Sequence, residues 1–125
     1  MTVLTDSDIL IEVSRGREKT VLSRWFELGR SDALILYSAV SAAELWAGAR
    51  PAEYTALDAL FDALLCVPID AALGRCAGEY LRRYRKSHAV ELGDALIAAS
   101  AVERGARLWT RNRKHYPMPG LAFYE

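Results

Sequence analysis

Two cysteines in 125 residues, Cys66 and Cys76, leave no disulfide framework to build on, and their spacing is not that of a metal knuckle. They read as small buried hydrophobes in a reducing compartment, and neither is given a role. No apolar run approaches the roughly 20 residues a membrane-spanning helix needs, so a helical membrane protein is excluded. The opening residues also lack the basic region and apolar core of a secretory signal, because an acid arrives at Asp6. A cytoplasmic address is therefore expected. Net charge is absent too: 16 Lys/Arg balance 16 Asp/Glu, which argues against a protein that coats nucleic acid indiscriminately. Repeats, linkers and low-complexity tracts are lacking, so residues 1–125 are expected to form one domain, burying roughly two thirds of the unfolded surface.

What is present is an alternation of strand and helix signals. Val3-Leu4-Thr5 is a short apolar run ending at Asp6, followed at once by a helical pattern that closes before Gly16. A second helix reads from about Glu18 to Leu28, stopped by Gly29. Ala33–Tyr37 looks like a fully buried strand. After a turn over Ser38–Ser41, a helix follows in which Ser41 and Glu44 stand at capping-box spacing. Pro51 opens a further helix with Leu57, Phe61 and Leu64 on one face. Leu65–Ile69 is a strand that Pro68 pushes to a sheet edge. Asp70 caps a long helix to about Lys86, and a loop Ser87–Gly93 precedes the nearly all-apolar helix Asp94–Val102. Arg107–Thr110 is the next strand, and Leu121–Tyr124 a short last one. Such alternation predicts an α/β fold: three layers, α/β/α, around a parallel, doubly wound sheet of about four to five strands.

Three acids share one structural address in this reading. Asp6, Glu44 and Asp94 each open a helix, and parallel strands would crowd those helix starts along one sheet edge, where open α/β sheets bind ligands. Each also has a bland explanation in helix capping, and for Asp6 alone the two stand level. Clustered carboxylates repel unless a cation joins them, and oxygen ligands suit Mg²⁺, with Mn²⁺ as the alternative. Helix starts offer free N–H groups to a phosphodiester. The halves of the chain differ in charge: residues 1–70 carry six Arg/Lys against eleven Asp/Glu, net −5, and residues 71–125 ten against five, net +5. Arg82–Lys86 and Arg111–His115 hold much of that excess, as phosphate-facing patches or as a solvated helix face and loop.

Four segments in order carry a resemblance: Val-Leu-Thr-Asp-Ser-Asp at 3–8, Ser-Ala-Val-Ser-Ala-Ala-Glu-Leu-Trp-Ala-Gly-Ala at 38–49, Gly-Asp-Ala-Leu-Ile-Ala-Ala-Ser-Ala at 93–101, and Leu-Trp-Thr-Arg-Asn-Arg-Lys-His-Tyr at 108–116. Together they resemble the successive motifs of the PIN-domain family, and most nearly the VapC-type toxins of bacterial toxin–antitoxin modules. The resemblance implies a Mg²⁺-dependent endoribonuclease that a small VapB-like antitoxin holds in check, and it suggests a homodimer. Asp6, Glu44 and Asp94 fall at the family's metal-site acids, which makes them the candidate catalytic residues. The fourth motif departs from the pattern, since many relatives carry an acid near its centre and Thr110–Tyr116 has none. Asn112 offers a carbonyl oxygen there, or serves only as a turn residue. Thr110 orients a ligand, while Asp8 and Glu91 support the site from behind or lie in solvent. Arg111, Arg113, Lys114 and His115 are the expected RNA phosphate contacts, and Gly48 and Gly93 are expected to permit close backbone packing.

Two other functions compete. Asp6-Ser7-Asp8 after a strand is also the opening of haloacid-dehalogenase-type phosphohydrolases, but no convincing downstream Ser/Thr, Lys and acidic pair accompanies it. A PIN-like shell that binds RNA or protein without turnover shares every residue above, and activity alone separates it from the enzyme.

Overall fold

Strand-period alternation decides which way each apolar side chain of the sheet points. In the computed structural model, which describes residues 1–125, β1 (Thr2–Thr5), β2 (Leu34–Ser38), β3 (Leu65–Val67), β4 (Arg107–Trp109) and β5 (Ala122–Phe123) form one sheet in the order β3-β2-β1-β4-β5. Every pairing is parallel. Leu4, Leu36 and Leu108 face one side, where α5 (Ala71–His88) and α6 (Leu92–Glu103) cover them. Val3, Ile35 and Trp109 face the other, against α1 (Ser7–Arg15) and α2 (Lys19–Gly29). There a neighbouring cluster of Leu10, Leu45, Leu57, Phe61 and Leu64 adds α3 (Ala39–Gly48) and α4 (Tyr54–Asp62). The three-layer α/β/α architecture with a parallel sheet is the expected one. No helix is long and apolar enough to cross a membrane.

β1 lies between β2 and β4. The chain steps outward from β1 to β2 and β3, then returns through α5 and α6 on the opposite face to β4 on the other flank of β1, so the carboxyl end of β1 is a topological switch point. Asp6 stands there. Its backbone N–H continues the pairing by donating to the Trp109 carbonyl at 2.9 Å, and its extended backbone makes it the N-cap of α1. Gly16 closes α1 in the left-handed conformation, φ 68°, where its N–H reaches the Glu12 carbonyl.

Several local expectations are corrected. α3 starts at Ala39, capped by Ser38, whose hydroxyl accepts from the Val40 N–H at 3.1 Å. Ser38 already has the extended backbone of a cap as it leaves β2, so no separate turn is needed. Ser41 is therefore inside the helix and fully buried, Glu44 lies a turn further on, and no Ser41–Glu44 capping box exists. The long helix runs to His88, with Ala89 in the left-handed conformation, and α6 begins at Leu92, which shortens the loop before it. Asp94 is the third residue of α6, bonding back to the N–H of its cap Glu91 at 3.0 Å. β2 is not fully buried: Leu34, at its start, is 47% exposed. Pro51 opens a 3₁₀ turn, Pro51–Glu53, ahead of α4.

Cys66 is exposed, because β3 is an edge strand and its middle residue turns outward, and Cys76, on α5, is only half-buried. The two glycines also part company. A Cβ on Gly93 would stand 3.2 Å from Val40 Cγ1 and 4.0 Å from Glu44 Oε1, so Gly93 does bring α6 close to α3. At Gly48 a Cβ would meet nothing within 4 Å, and the packing reason falls away.

Candidate active site

The carboxyl ends of β1, β2 and β4 enclose a cleft of about 440 Å³ lined by Asp6, Asp8, Glu44, Glu91, Asp94 and Asn112 among others. Five carboxylates and no Lys or Arg line it. The three acids singled out from the sequence thus share one cavity, with Asn112 at its rim.

Each acid is held by a distinct set of donors. Asp6 Oδ1 accepts from the Ser7 N–H at 2.7 Å, and Oδ2 accepts from the Thr110 hydroxyl at 2.7 Å, a contact spanning 104 residues. Thr110 Oγ1 in turn accepts from the Asn112 N–H at 3.0 Å, so β4 and the loop after it are tied to Asp6. The Ser7 hydroxyl donates to Glu44 Oε1 at 2.8 Å and lies 2.8 Å from the Ser41 hydroxyl. The single Ser7 hydroxyl proton goes to Glu44, which leaves Ser41 to donate to Ser7 and makes a directed, buried relay ending on Glu44. Asp94 Oδ2 accepts from the Glu91 N–H and lies 3.3 Å from His115 Nδ1.

Burial pushes the Asp6 carboxyl above its ordinary pKa; the Thr110 and Ser7 bonds oppose the shift, and the Asp94 charge adds to it. Asp8 is raised for the same first reason, then by Asp6, against the pull of Arg111. Behind them Tyr116 is buried with no hydrogen-bond partner for its hydroxyl, and burial followed by the Asp6 and Asp94 charges raises its pKa strongly.

In these side-chain positions no three acidic, His or Cys groups already stand as a ligand set. Glu44 is turned to Ser7, and Asp94 to the Glu91 amide and His115. The donor set nonetheless fits a hard divalent cation. Asp8 Oδ1 is buried without a partner beside a cleft that concentrates five formal negative charges, and a cation held there would quench the repulsion among them. Ser7, Ser41 and Tyr116 escaped the sequence reading as site residues. Ser7 follows Asp6 directly and read as a cap, Ser41 read as half of a capping box, and Tyr116 gave no signal.

The basic residues differ from expectation. Arg111 is 3.7 Å from Asp8 and 3.4 Å from Glu12, and its backbone N–H donates to Asp8 Oδ2 at 3.0 Å. It pins the loop after β4 onto α1. Asp8 is accordingly a loop anchor as well as part of the cleft wall. Arg113 bonds Glu125 at 2.6 Å, and His115 faces Asp94. Lys114 is exposed. None of Arg82–Lys86 lines the cleft.

A family model described as PIN domain matches residues 3–121. Ribonuclease VapC10 of Mycobacterium tuberculosis is 41% identical over 118 residues, 93% of this chain and 86% of that protein. The chain belongs to the PIN-domain family. Ribonuclease VapC19 of the same organism is similar to this PIN domain at 36% identity, covering 92% of each chain. Among solved structures, a VapBC2 complex from Rickettsia felis bound to a promoter DNA fragment has the same fold: TM-score 0.81 at 22% identity, over 99% of this chain and 98% of that one. A VapBC-1 structure from nontypeable Haemophilus influenzae gives 0.80 at 20% identity, over 100% and 98%. Family membership decides between the PIN domain and the dehalogenase-type alternative, in favour of the first.

Ser7→Ala in this PIN domain leaves the buried Ser41 hydroxyl without a partner. A loss of about 1–3 kcal/mol in stability is expected, the cost of an unsatisfied buried polar group. Ser41→Ala, which keeps the Ser7–Glu44 bond, should cost less. Thermal melting of the two variants side by side checks the order, and an equal or reversed order refutes the directed relay.

Proposed function

We propose that this PIN domain is a Mg²⁺-dependent endoribonuclease, the toxin of a toxin–antitoxin pair, neutralised by a small VapB-like protein. Mn²⁺ is the alternative ion, and the cytoplasm and a homodimer are the proposed setting and assembly. The observation that carries the reading is the convergence of Asp6, Glu44 and Asp94 on one acidic cleft at the switch point of a parallel sheet. The ribonuclease names of the VapC relatives and the VapBC complexes among the structural neighbours support it.

Asp6, Asp94 and Glu44 are the residues that would hold the ion; Ser7 engages only Glu44 Oε1 and leaves Oε2 free. The bound ion supplies Lewis acidity toward the scissile phosphate and activation of a water molecule for attack. Thr110 and the Ser7 amide keep the Asp6 carboxylate fixed, so its orientation costs nothing when substrate arrives. His115 stands beside Asp94, with Nδ1 3.3 Å from Oδ2, and is the candidate general acid–base group next to the acids. Protein freed of any co-purified small partner is expected to cut single-stranded RNA with Mg²⁺ and to stop with EDTA. RNA bound but never cut under any divalent ion establishes the non-catalytic shell instead.

A further inference from the structure

The cleft that holds the acids cannot also be what holds the RNA. Five carboxylates with no Lys or Arg repel a polyanion, and a bound cation neutralises only the phosphate it touches. The grip has to come from elsewhere, and a second cleft of about 540 Å³ adjoins the first. Arg24 of α2, Arg111 and Arg113 after β4, Trp109 and Tyr124 line it, together with Glu18 and Glu125. The Thr110–Arg113 segment is the partition. Thr110 bonds Asp6 on one side, and Thr110, Arg111 and Arg113 wall the second cleft on the other.

We propose that this second cleft receives a single-stranded RNA nucleotide flanking the scissile bond, with Arg24 and Tyr124 as the residues that grip it. The inference rests on the ribonuclease reading and extends it to how substrate is held. Arg24 lies over the Tyr124 ring at 5.5 Å, and Tyr124 meets Trp109 edge-on at 5.3 Å. Unstacked RNA bases are received by such aromatic and guanidinium planes, and a guanidinium stacked on a ring still points its donors outward to phosphate. One of its arginines already faces a carboxylate of the chain itself. The Glu125 carboxylate takes Arg113 at 2.6 Å, and Arg113 also covers the Phe123 ring at 4.7 Å. A phosphate exchanging with that carboxylate makes the same contact with more charge. Arg111 stays with Asp8 and Glu12 and forms the wall. A strand crossing the partition would then place one phosphate where an ion held by the acids would receive it, and the neighbouring nucleotide at Arg24 and Tyr124.

The test is fluorescence anisotropy of a short labelled single-stranded RNA, with Asp94→Asn as the background so that the probe is not cut. Adding Arg24→Ala should weaken binding about tenfold and reduce the salt slope by about one. Tyr124→Ala should weaken it about tenfold as well, the scale of one lost stacking contact, yet leave an abasic strand of equal length unaffected. Arg24→Lys should keep the salt slope and lose affinity. Tyr124→Phe, which keeps the ring, should bind as the parent and controls for folding alongside thermal melts. Unchanged RNA affinity in both alanine variants overturns the proposal. So does a loss of affinity for an acidic protein partner with RNA binding intact, which makes the cleft a protein dock. A wild type that cuts no RNA sinks the ribonuclease reading but leaves these binding results standing, so the two failures are distinguishable.

Discussion

Asp6→Asn and Asp94→Asn are each expected to reduce metal-dependent RNA cleavage by more than about a hundredfold without unfolding the protein. Losing a group that merely orients a metal ligand costs 10–100-fold, and loss of the ligand's own charge should exceed that. Stability tells whether the loss is chemical or structural. Burial, reinforced by Asp94, holds the Asp6 carboxyl above its ordinary pKa despite the Thr110 and Ser7 bonds. A carboxyl raised on folding binds more protons folded than unfolded, so its ionisation removes stability as the pH climbs through the folded pKa. Asn abolishes that loss. In EDTA at neutral pH the Asp6→Asn protein should melt at or above the wild type, an advantage that disappears below about pH 4, where the acid is protonated in both states. Asp94→Asn surrenders part of the α6 cap and should lose about 1 kcal/mol or less. Melting curves in EDTA and cleavage rates in Mg²⁺ check both. Full activity with a lowered melting point makes these acids caps and nothing more.

Glu44 changes standing once the helix start is known. With a Ser41 capping box, Glu44→Gln would be nearly silent; with Glu44 a turn into α3 and its carboxylate on the rim of the cleft, activity should fall while melting barely moves. Ser38 and Ser41 are both serines at plausible cap positions. Which one caps depends on where β2 ends, and that is fixed by pairing with β1 and β3, sequence neighbours only in space. The acids were legible because each follows a strand or opens a helix, and a parallel sheet brings those places together. The Asp6–Thr110 and Asp8–Arg111 contacts span 104 and 103 residues and have no local pattern to announce them. Arg111 read as a phosphate contact because a loop arginine usually faces solvent. Its engagement with Asp8 and Glu12 appears only when β4 is laid beside β1. Tyr116 was hidden likewise: buried aromatics are common, and only the fold sets this one behind Asp6 and Asp94.

Asn112→Asp is expected to lower the Mg²⁺ concentration for half-maximal cleavage by about fivefold or more. Asn112 lines the acidic cleft, and its backbone N–H, bonded to Thr110, fixes it at that rim. A carboxylate within a few ångströms of a cation gains roughly 1 kcal/mol or more at protein-surface dielectric, and about 1.4 kcal/mol is a factor of ten in affinity. Asn112 is exposed, so salt should erode the gain, and low ionic strength is the condition to choose. Without metal the same change adds a sixth carboxylate to a wall of five. The apo-protein should then melt below the wild type and recover on adding Mg²⁺, because a ligand that binds only the folded state stabilises it by an amount that grows with the logarithm of its concentration above Kd. A turn residue facing its own loop behaves otherwise, since Asp and Asn substitute for each other there with little effect. Calorimetric Mg²⁺ titration of the two proteins separates the cases, and identical affinities remove Asn112 from the metal site.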